Sequence, residues 1–493
     1  MAKRLRTLTG LDALFVYLEA MGTPMHVASL IRLCPPARGR LRFANALREH
    51  LLARLADIAI LRRELVAAPL ALGHPMWREV EDFDPAPHIR VQTLAKPGSD
   101  RQLHGLIARL HAIELDRSRP LWDIVIVDGL ADGSLAIYLK SHHALVDGQA
   151  GVQVMGALLD VEPRALQRPV SKAKRTGEAP PTAAPSAIAR AALRASAKQF
   201  SAMLRGVPEG VRRLAAGARE AGSLERLRDS VWLAPRTPFN AQLDSTRRFA
   251  ATSLPLAEIK RIAKHFGASL NDVVMALCAG ALRAQLLKAG ELPAGPLIAA
   301  MPVSLRAAGA EGGNEVSMVQ CPLATNIADP VERLAAIVSA TRQIKGRVAS
   351  FKGLIPTDFP GMAAPIWATG VSRLWQRGRL SERLPPLANL VISNVPGPPV
   401  PLFVAGAAVT HFQPVSIITH GLGLNITVLS YAGSLEVGIV SSQSTLDKPD
   451  GLVKGLHTAL SALGKAALSE AALSKAALSK VTLNTATVAK ATA

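Results

Sequence analysis

Two α/β domains joined by a long basic segment are what this chain predicts, on three observations. Its 493 residues exceed what one hydrophobic core usually organises. Apolar residues make up 49% of it, enough to fill two sizeable cores. Helix-like and strand-like segments alternate over residues 1–165 and again over 239–463, with a change of composition between them.

The first domain, 1–165, ends in the densest cluster of reactive side chains in the chain, S-H-H-A-L-V-D-G-Q-A-G from Ser141 to Gly151. Leu135 to Lys140 (L-A-I-Y-L-K) is β-prone and predicts a strand running into the two histidines. Side chains alternate faces along a strand, so His142 and His143 are expected on opposite sides, with only one entering a site. That disposition disfavours a shared metal ion, and no metal is expected. Asp147 and Gly148 are expected to end the element in a turn, with Gly148 and Gly151 leaving room for close backbone approach. Two histidines at a strand end, taken alone, also fit satisfied polar groups of a core. The added Asp-Gly tips the reading to a site, and an imidazole base is the chemistry those residue types offer near neutral pH.

The linker, 166–238, is set apart by charge. From Arg164 to Arg248 about 17 Lys and Arg stand against about 6 Asp and Glu, more than half of the chain's net charge of +20. Ala179 to Pro185 (A-P-P-T-A-A-P) is turn-rich. Within Ala187–Leu214, Leu193, Phe200, Leu204, Val211 and Leu214 recur at helical spacing while Arg190, Arg194, Lys198, Arg205 and Arg212 fall on another face, and Gly206, Pro208 and Gly210 break the run. Such a basic amphipathic helix either packs its apolar stripe on the body of the protein or lies on an anionic membrane surface. In the second case each basic residue is worth on the order of 1 kcal/mol.

The second domain, 239–463, contains the longest apolar run, Val273 to Leu282. That run is about half of the roughly 20 residues that span a bilayer, so no transmembrane helix is expected. In the tail, 464–493, K-A-A-L-S, E-A-A-L-S, K-A-A-L-S and K-V-T-L-N follow one another from Lys465 to Asn484. The composition favours helix. A five-residue step advances roughly 140° around a helix, so the leucines spiral instead of forming a stripe, and the tail reads as a low-complexity appendage.

Several function classes are disfavoured. A pI near 10.5 implies attraction to polyanions, but with 4% aromatics and no zinc-finger or RNA-recognition motif, nucleic acid is not an expected partner. Cys34, Cys278 and Cys321 are odd in number and far apart, which suggests neither disulfides nor zinc and fits a reducing cytosol. Asp12 and Glu19 interrupt the apolar stretch after the basic start, so no secretion signal is expected. No G-x-S-x-G, H-E-x-x-H, G-x-x-x-x-G-K-[ST] or G-x-G-x-x-G occurs, which disfavours serine esterases, zincins, P-loop enzymes and dinucleotide-binding enzymes.

The spacing H-H-x-x-x-D-G resembles the motif of acyltransferases with the chloramphenicol acetyltransferase fold. Around it stand L-D-A-L-F-V-Y-L-E (Leu11–Glu19), P-M-H-V (Pro24–Val27), D-R-S-R-P-L-W (Asp116–Trp122), N-D-V-V-M-A (Asn271–Ala276), M-P-V-S-L-R (Met301–Arg306), N-L-V-I-S-N-V-P-G-P (Asn389–Pro398) and G-L-N-I-T-V-L-S-Y (Gly423–Tyr431). In this order they resemble the bacterial wax ester synthase/diacylglycerol acyltransferase family over residues 8 to 460, nearly the whole chain.

The resemblance implies two chloramphenicol acetyltransferase-like domains with a tunnel and the active site at their interface. It implies acyl transfer from acyl-CoA, a substrate and not a cofactor, to a fatty alcohol or diacylglycerol, directly and without an acyl-enzyme. By the motif His143 is the base, His142 fixes the loop, and Asp147 pairs with an arginine, for which Arg306 is the matching residue. Asn271, in the pair with Asp272, stands near the reaction centre as an oxyanion-shaping candidate. Both residues are equally suited to capping the helix that follows. The location implied is cytoplasmic, peripheral to the inner membrane or lipid inclusions. Two rival functions fit parts of the pattern: a condensation-type transferase fed by a carrier protein, and an idle protein coating storage droplets.

Overall fold

The computed structural model describes residues 5–19, 23–36, 40–68, 74–146, 148–164, 232–304, 316–351 and 379–469. Asp147, Arg306, the basic helix expected within Ala187–Leu214 and the repeats beyond 469 lie outside these residues.

Two six-stranded sheets, each with helices packed on it, form the body. The first is built from β2 (His26–Cys34), β5 (Ile89–Thr93), β6 (Trp122–Asp128) and β7 (Leu135–His142), completed by β12 (Phe403–Val404) and β13 (Ala407–Val415), in the order β12-β13-β2-β7-β6-β5. The second has the order β10-β9-β11-β14-β15-β8, from β8 (Arg248–Pro255), β9 (Ile298–Ser304), β10 (Val316–Pro322), β11 (Leu390–Val395), β14 (Leu424–Tyr431) and β15 (Ser434–Ser441). A small antiparallel sheet, β1 (Leu5–Thr7), β4 (Met76–Glu79) and β3 (Arg63–Val66), joins the first domain.

Period-two alternation explains how the first sheet is covered on both faces. Ile31, Ile124, Ile126, Ile137 and Leu139 share a core with α2 (Arg40–Leu55) and α4 (Gly148–Leu158). Their neighbours Leu30, Val125, Val127, Ala136 and Tyr138 pack with α3 (Asp100–Ala112), and that same cluster takes in Phe249 and Val440 of the second sheet. The second sheet buries Leu390, Ile392, Leu424, Ile426, Val437 and Ile439 under α5 (Leu256–His265), α6 (Leu270–Ala289), α7 (Pro330–Phe351) and α8 (450–469). The run Val273–Leu282 is the middle of α6, which at 20 residues is long and apolar enough to cross a membrane, yet packs into this core.

One strand pair departs from a simple division at residue 239. After β11 the chain leaves the second sheet, forms β12 and β13 on the edge of β2, and returns as β14. Pairing with β13 removes the unpaired backbone that β2 would otherwise present. Tyr431 at the end of β14 secures the crossing: its hydroxyl donates to the Val409 carbonyl at 3.0 Å and accepts from the Leu402 N–H at 2.9 Å. Gly438 lets the sheets close, because a Cβ there would stand 1.7 Å from the Pro414 carbonyl oxygen.

Candidate active site

The strand expected to run into the histidine pair ends at His142, opposite His26 on β2. His143, Ala144 and Leu145 then form the turn, closed by the Leu145 N–H donating to the His142 carbonyl at 2.9 Å. Gly148 does not end a turn as expected; it opens α4, whose Val154 and Leu158 are buried beneath the first sheet and draw the chain directly into helix. At Gly151 the close neighbour is a side chain and not the backbone expected, since a Cβ there would meet Val146 Cγ1 at 3.2 Å.

Two stretches far apart in sequence, Glu19–Met25 and Arg117–Leu121, hold the histidine pair. The His142 N–H donates to the Leu121 carbonyl at 3.0 Å and the His143 N–H to the Met25 carbonyl at 2.8 Å. The His142 ring is fully buried; its Nδ1 accepts from the Ala144 N–H at 3.0 Å, which assigns the proton to Nε2. That Nε2 faces Glu19 Oε2 at 3.5 Å, longer than a normal hydrogen bond. Glu19 Oε2 takes two donors from Arg117, Nη2 at 2.7 Å and Nε at 3.1 Å, while Oε1 accepts from the Met25 N–H at 3.1 Å. Burial alone would raise the Glu19 carboxyl, but His142, Arg117 and the Met25 N–H outweigh it and hold it at about 2.

His143 differs from its neighbour. It is only partly covered, and its ring stacks on Phe15 with centroids 4.0 Å apart and planes 20° from parallel. Its Nδ1 makes no hydrogen bond among the described residues. Burial pushes its pKa down to about 4, opposed in part by its own carbonyl and reinforced by His142, so the ring is neutral, hence able to accept a proton, throughout the physiological range.

Behind the pair runs a chain of buried polar groups. His26 Nε2 donates to the His111 carbonyl at 2.7 Å. His111 Nε2 donates to the Ser416 carbonyl at 3.0 Å, a bond between the two halves of the chain, and Nδ1 accepts from the Tyr138 hydroxyl at 2.9 Å. Lys140 Nζ donates to the Leu110 and Ile113 carbonyls at 3.0 and 2.8 Å, placing a cation at the C-terminal end of α3. Burial lowers His111 to about 3 and Lys140 to about 8.

In the second domain Ser269, not Asn271, is the N-cap of α6. Its side chain accepts from the Asp272 N–H, and Asp272 Oδ2 accepts from the Ser269 N–H at 2.8 Å in a capping box. Thr341 donates to the other Asp272 oxygen at 2.7 Å, so Asp272 is occupied in structure. Asn271 keeps its side chain free of the cap and accepts from Asn394 of β11 at 3.4 Å. The loop that begins there is tight, because a Cβ on Gly397 would stand 2.1 Å from the Ser430 carbonyl oxygen. Among the described residues no group of three His, Cys, Asp or Glu is arranged to hold a metal ion.

Phe15, Glu19, Met25 and Arg117, which the fold brings to the histidine pair, are not singled out by the sequence reading. Each stands in a quoted segment, and a carboxylate closing the apolar helix L-D-A-L-F-V-Y-L-E was the signal available.

The sequence matches the wax ester synthase/diacylglycerol acyltransferase catalytic domain over residues 8–274 and the C-terminal domain of the same family over 312–464. A putative diacylglycerol O-acyltransferase of Mycobacterium tuberculosis is 35% identical over 460 residues, covering 92% of this chain and 99% of the relative. A probable diacylglycerol O-acyltransferase of the same organism is 34% identical over 458 residues, covering 92% and 98%. Among solved structures, the wax ester synthase/diacylglycerol acyltransferase of Marinobacter aquaeolei VT8 superposes with a TM-score of 0.67 at 28% identity over 94% of this chain and 99% of that one. A condensation domain of the calcium-dependent antibiotic synthetase shares the fold alone, with a TM-score of 0.53 at 17% identity over 94% and 96%. With the histidine motif seated where segments from across the sequence converge, and both family domains matched in order, the chain belongs to the wax ester synthase/diacylglycerol acyltransferase family and is an O-acyltransferase.

Proposed function

We propose that the enzyme transfers a long-chain acyl group from acyl-CoA to diacylglycerol or a fatty alcohol, with His143 as the base. The observation that carries this is a neutral, partly open imidazole stacked on Phe15 beside a fully buried His142 that faces Glu19. His143 accepts the hydroxyl proton as the acceptor oxygen bonds to the thioester carbonyl carbon. The C–S bond then breaks, and the same proton passes to the departing thiolate, leaving an ester and free coenzyme A. Cys278 and Cys321 offer no competing nucleophile, because burial pushes both thiols up to about 12. Asn271, clear of the helix cap, is the side chain of the N-D pair available to the oxyanion.

The net charge of +20 supports attachment from the cytoplasmic side to the inner membrane or lipid inclusions. Palmitoyl-CoA offered to the purified protein with hexadecanol and with diacylglycerol tests the reaction. Ester should form without any carrier protein, and His143→Ala should abolish most of it. Near-native turnover in that variant, or a covalent acyl-protein adduct, would refute the mechanism.

A further inference from the structure

A second concave site lies on the helical face of the second domain. A cleft of about 440 Å³ opens between α6, α8 and the start of α7, within the size range of small-ligand sites. Its apolar wall includes Ala276, Ala284, Ala459 and Leu463, and the cations Lys288, Arg333 and Lys454 line it with no carboxylate. Small residues make the helices meet closely: a Cβ on Gly455 would stand 2.8 Å from Ala281 Cα, and one on Gly280 would stand 2.9 Å from Ala459 Cβ.

Arg333 is the informative member. Only 6% exposed, it donates from Nε to the Ile327 carbonyl at 3.2 Å and from Nη2 to the Ala328 carbonyl at 2.7 Å. Its Nη1 has no hydrogen-bond partner among the described residues and lies beside Gly280, 3.0 Å from where a Cβ would be. No carboxylate of the described residues is within ion-pair distance of this guanidinium. Asp329 is near, but its Oδ1 is engaged by the Val331 and Glu332 N–H groups at the head of α7. A buried cation without a direct ion pair is costly: burial and then the neighbouring Arg283 press against its charge, and Asp329, at longer range, offsets them in part.

We propose that this cleft binds a lipid-like oxyanion, a phosphate or carboxylate on an aliphatic chain, separately from the histidine site. The head group meets Arg333 Nη1 with Lys288 and Lys454 at the rim, and the aliphatic part lies against the alanines and Leu463. Calorimetric titration of the full-length protein with dodecyl phosphate below its micellar concentration, beside dodecanol and inorganic phosphate, tests this. Dodecyl phosphate should bind one per chain, at least tenfold more tightly than either control. The double variant Lys288→Glu/Lys454→Glu and the cleft-filling Ala284→Phe change exposed positions, and each should weaken binding at least tenfold. Sedimentation with phosphatidylglycerol vesicles separates the sources. Variant-sensitive binding of monomeric dodecyl phosphate assigns a single lipid molecule; variant-sensitive vesicle binding alone assigns the head group of a membrane. The proposal is overturned if neither binding responds to the variants, if dodecanol or phosphate binds equally well, or if Ala284→Phe raises KM for palmitoyl-CoA in parallel, which would place the ligand in the acyl-CoA site.

Discussion

A buried polar knot in the first domain and one in the second are built on opposite terms. In the second domain Asn389 is fully buried: its Oδ1 accepts from the Ile298 N–H at 2.9 Å, and its Nδ2 reaches the Pro235 carbonyl and Asn240 Oδ1. Asn240 in turn donates to the Ala388 and Gly421 carbonyls at 2.8 and 2.9 Å. Every group is neutral and paired. The knot of the first domain joins Glu19, Arg117 and His142, and leaves His26 Nδ1, His142 Nε2 and His143 Nδ1 without hydrogen bonds. Leaving a buried polar atom unpaired costs about 1–3 kcal/mol. A satisfied network holds architecture; an unsatisfied one is kept where a proton has to move.

Crossing two substitutions breaks or establishes that distinction. His143→Ala should cut kcat by about 10² to 10⁴ while the protein stays folded, since general-base catalysis is worth that much. Asn389→Ala should do the reverse. It strands the Ile298 N–H and the Pro235 carbonyl in the core, lowering stability by roughly 2–4 kcal/mol on the cost per orphaned group, with kcat per folded molecule unchanged. Urea unfolding and steady-state turnover on both variants decide it; a turnover defect in Asn389→Ala that persists at full folding would collapse the contrast.

Glu19→Gln gives a smaller, mixed effect that sharpens it. Removing one partner of a buried pair costs about 3–5 kcal/mol, but the Arg117 side chain is 45% exposed and rehydrates, so the loss should be nearer 1–2 kcal/mol. Loosening His142 also frees the turn that carries His143, so kcat should fall about tenfold, the 1.4 kcal/mol of a modest misplacement. KM for palmitoyl-CoA should hold. A variant that loses stability alone would make Glu19 part of the scaffold.

The local half of this arrangement was legible in the sequence. Six β-prone residues before Ser141 announced β7, and the apolar run from Val273 announced α6, though its start was misread because Ser269, one residue ahead of the helix, makes the better cap. Residue spacing carried no information on which strand pairs with which. The transfer of β12 and β13 into the first sheet depends on β2 lacking a neighbour, a property of the assembled sheet. Likewise Glu19 and Arg117 stand 98 residues apart, and only the packing of α1 (Gly10–Glu19) against the end of β7 brings them to one histidine.

The smallest effect separates the knots by pH. A buried histidine with a depressed pKa takes its proton later in the folded chain than in the unfolded one, so its burial favours the unfolded state as pH falls. For His143 the window runs from the unfolded value of 6.5 down to about 4; His26, His88, His104 and His111 shift the same way. Glu19 adds to this lower down: its low folded pKa stabilises the protein above pH 4.5, and that stability is lost as pH falls toward 2. Melting temperature should therefore decline steadily below pH 6.5, while kcat/KM of molecules still folded stays level to about pH 5 and drops only as His143 takes its proton near 4. Asn389→Ala contains no titrating group and should displace the melting curve by the same amount at every pH. His143→Ala should flatten its slope between 6.5 and 4, and a slope unchanged in that variant would mean the ring is exposed to water in the folded enzyme.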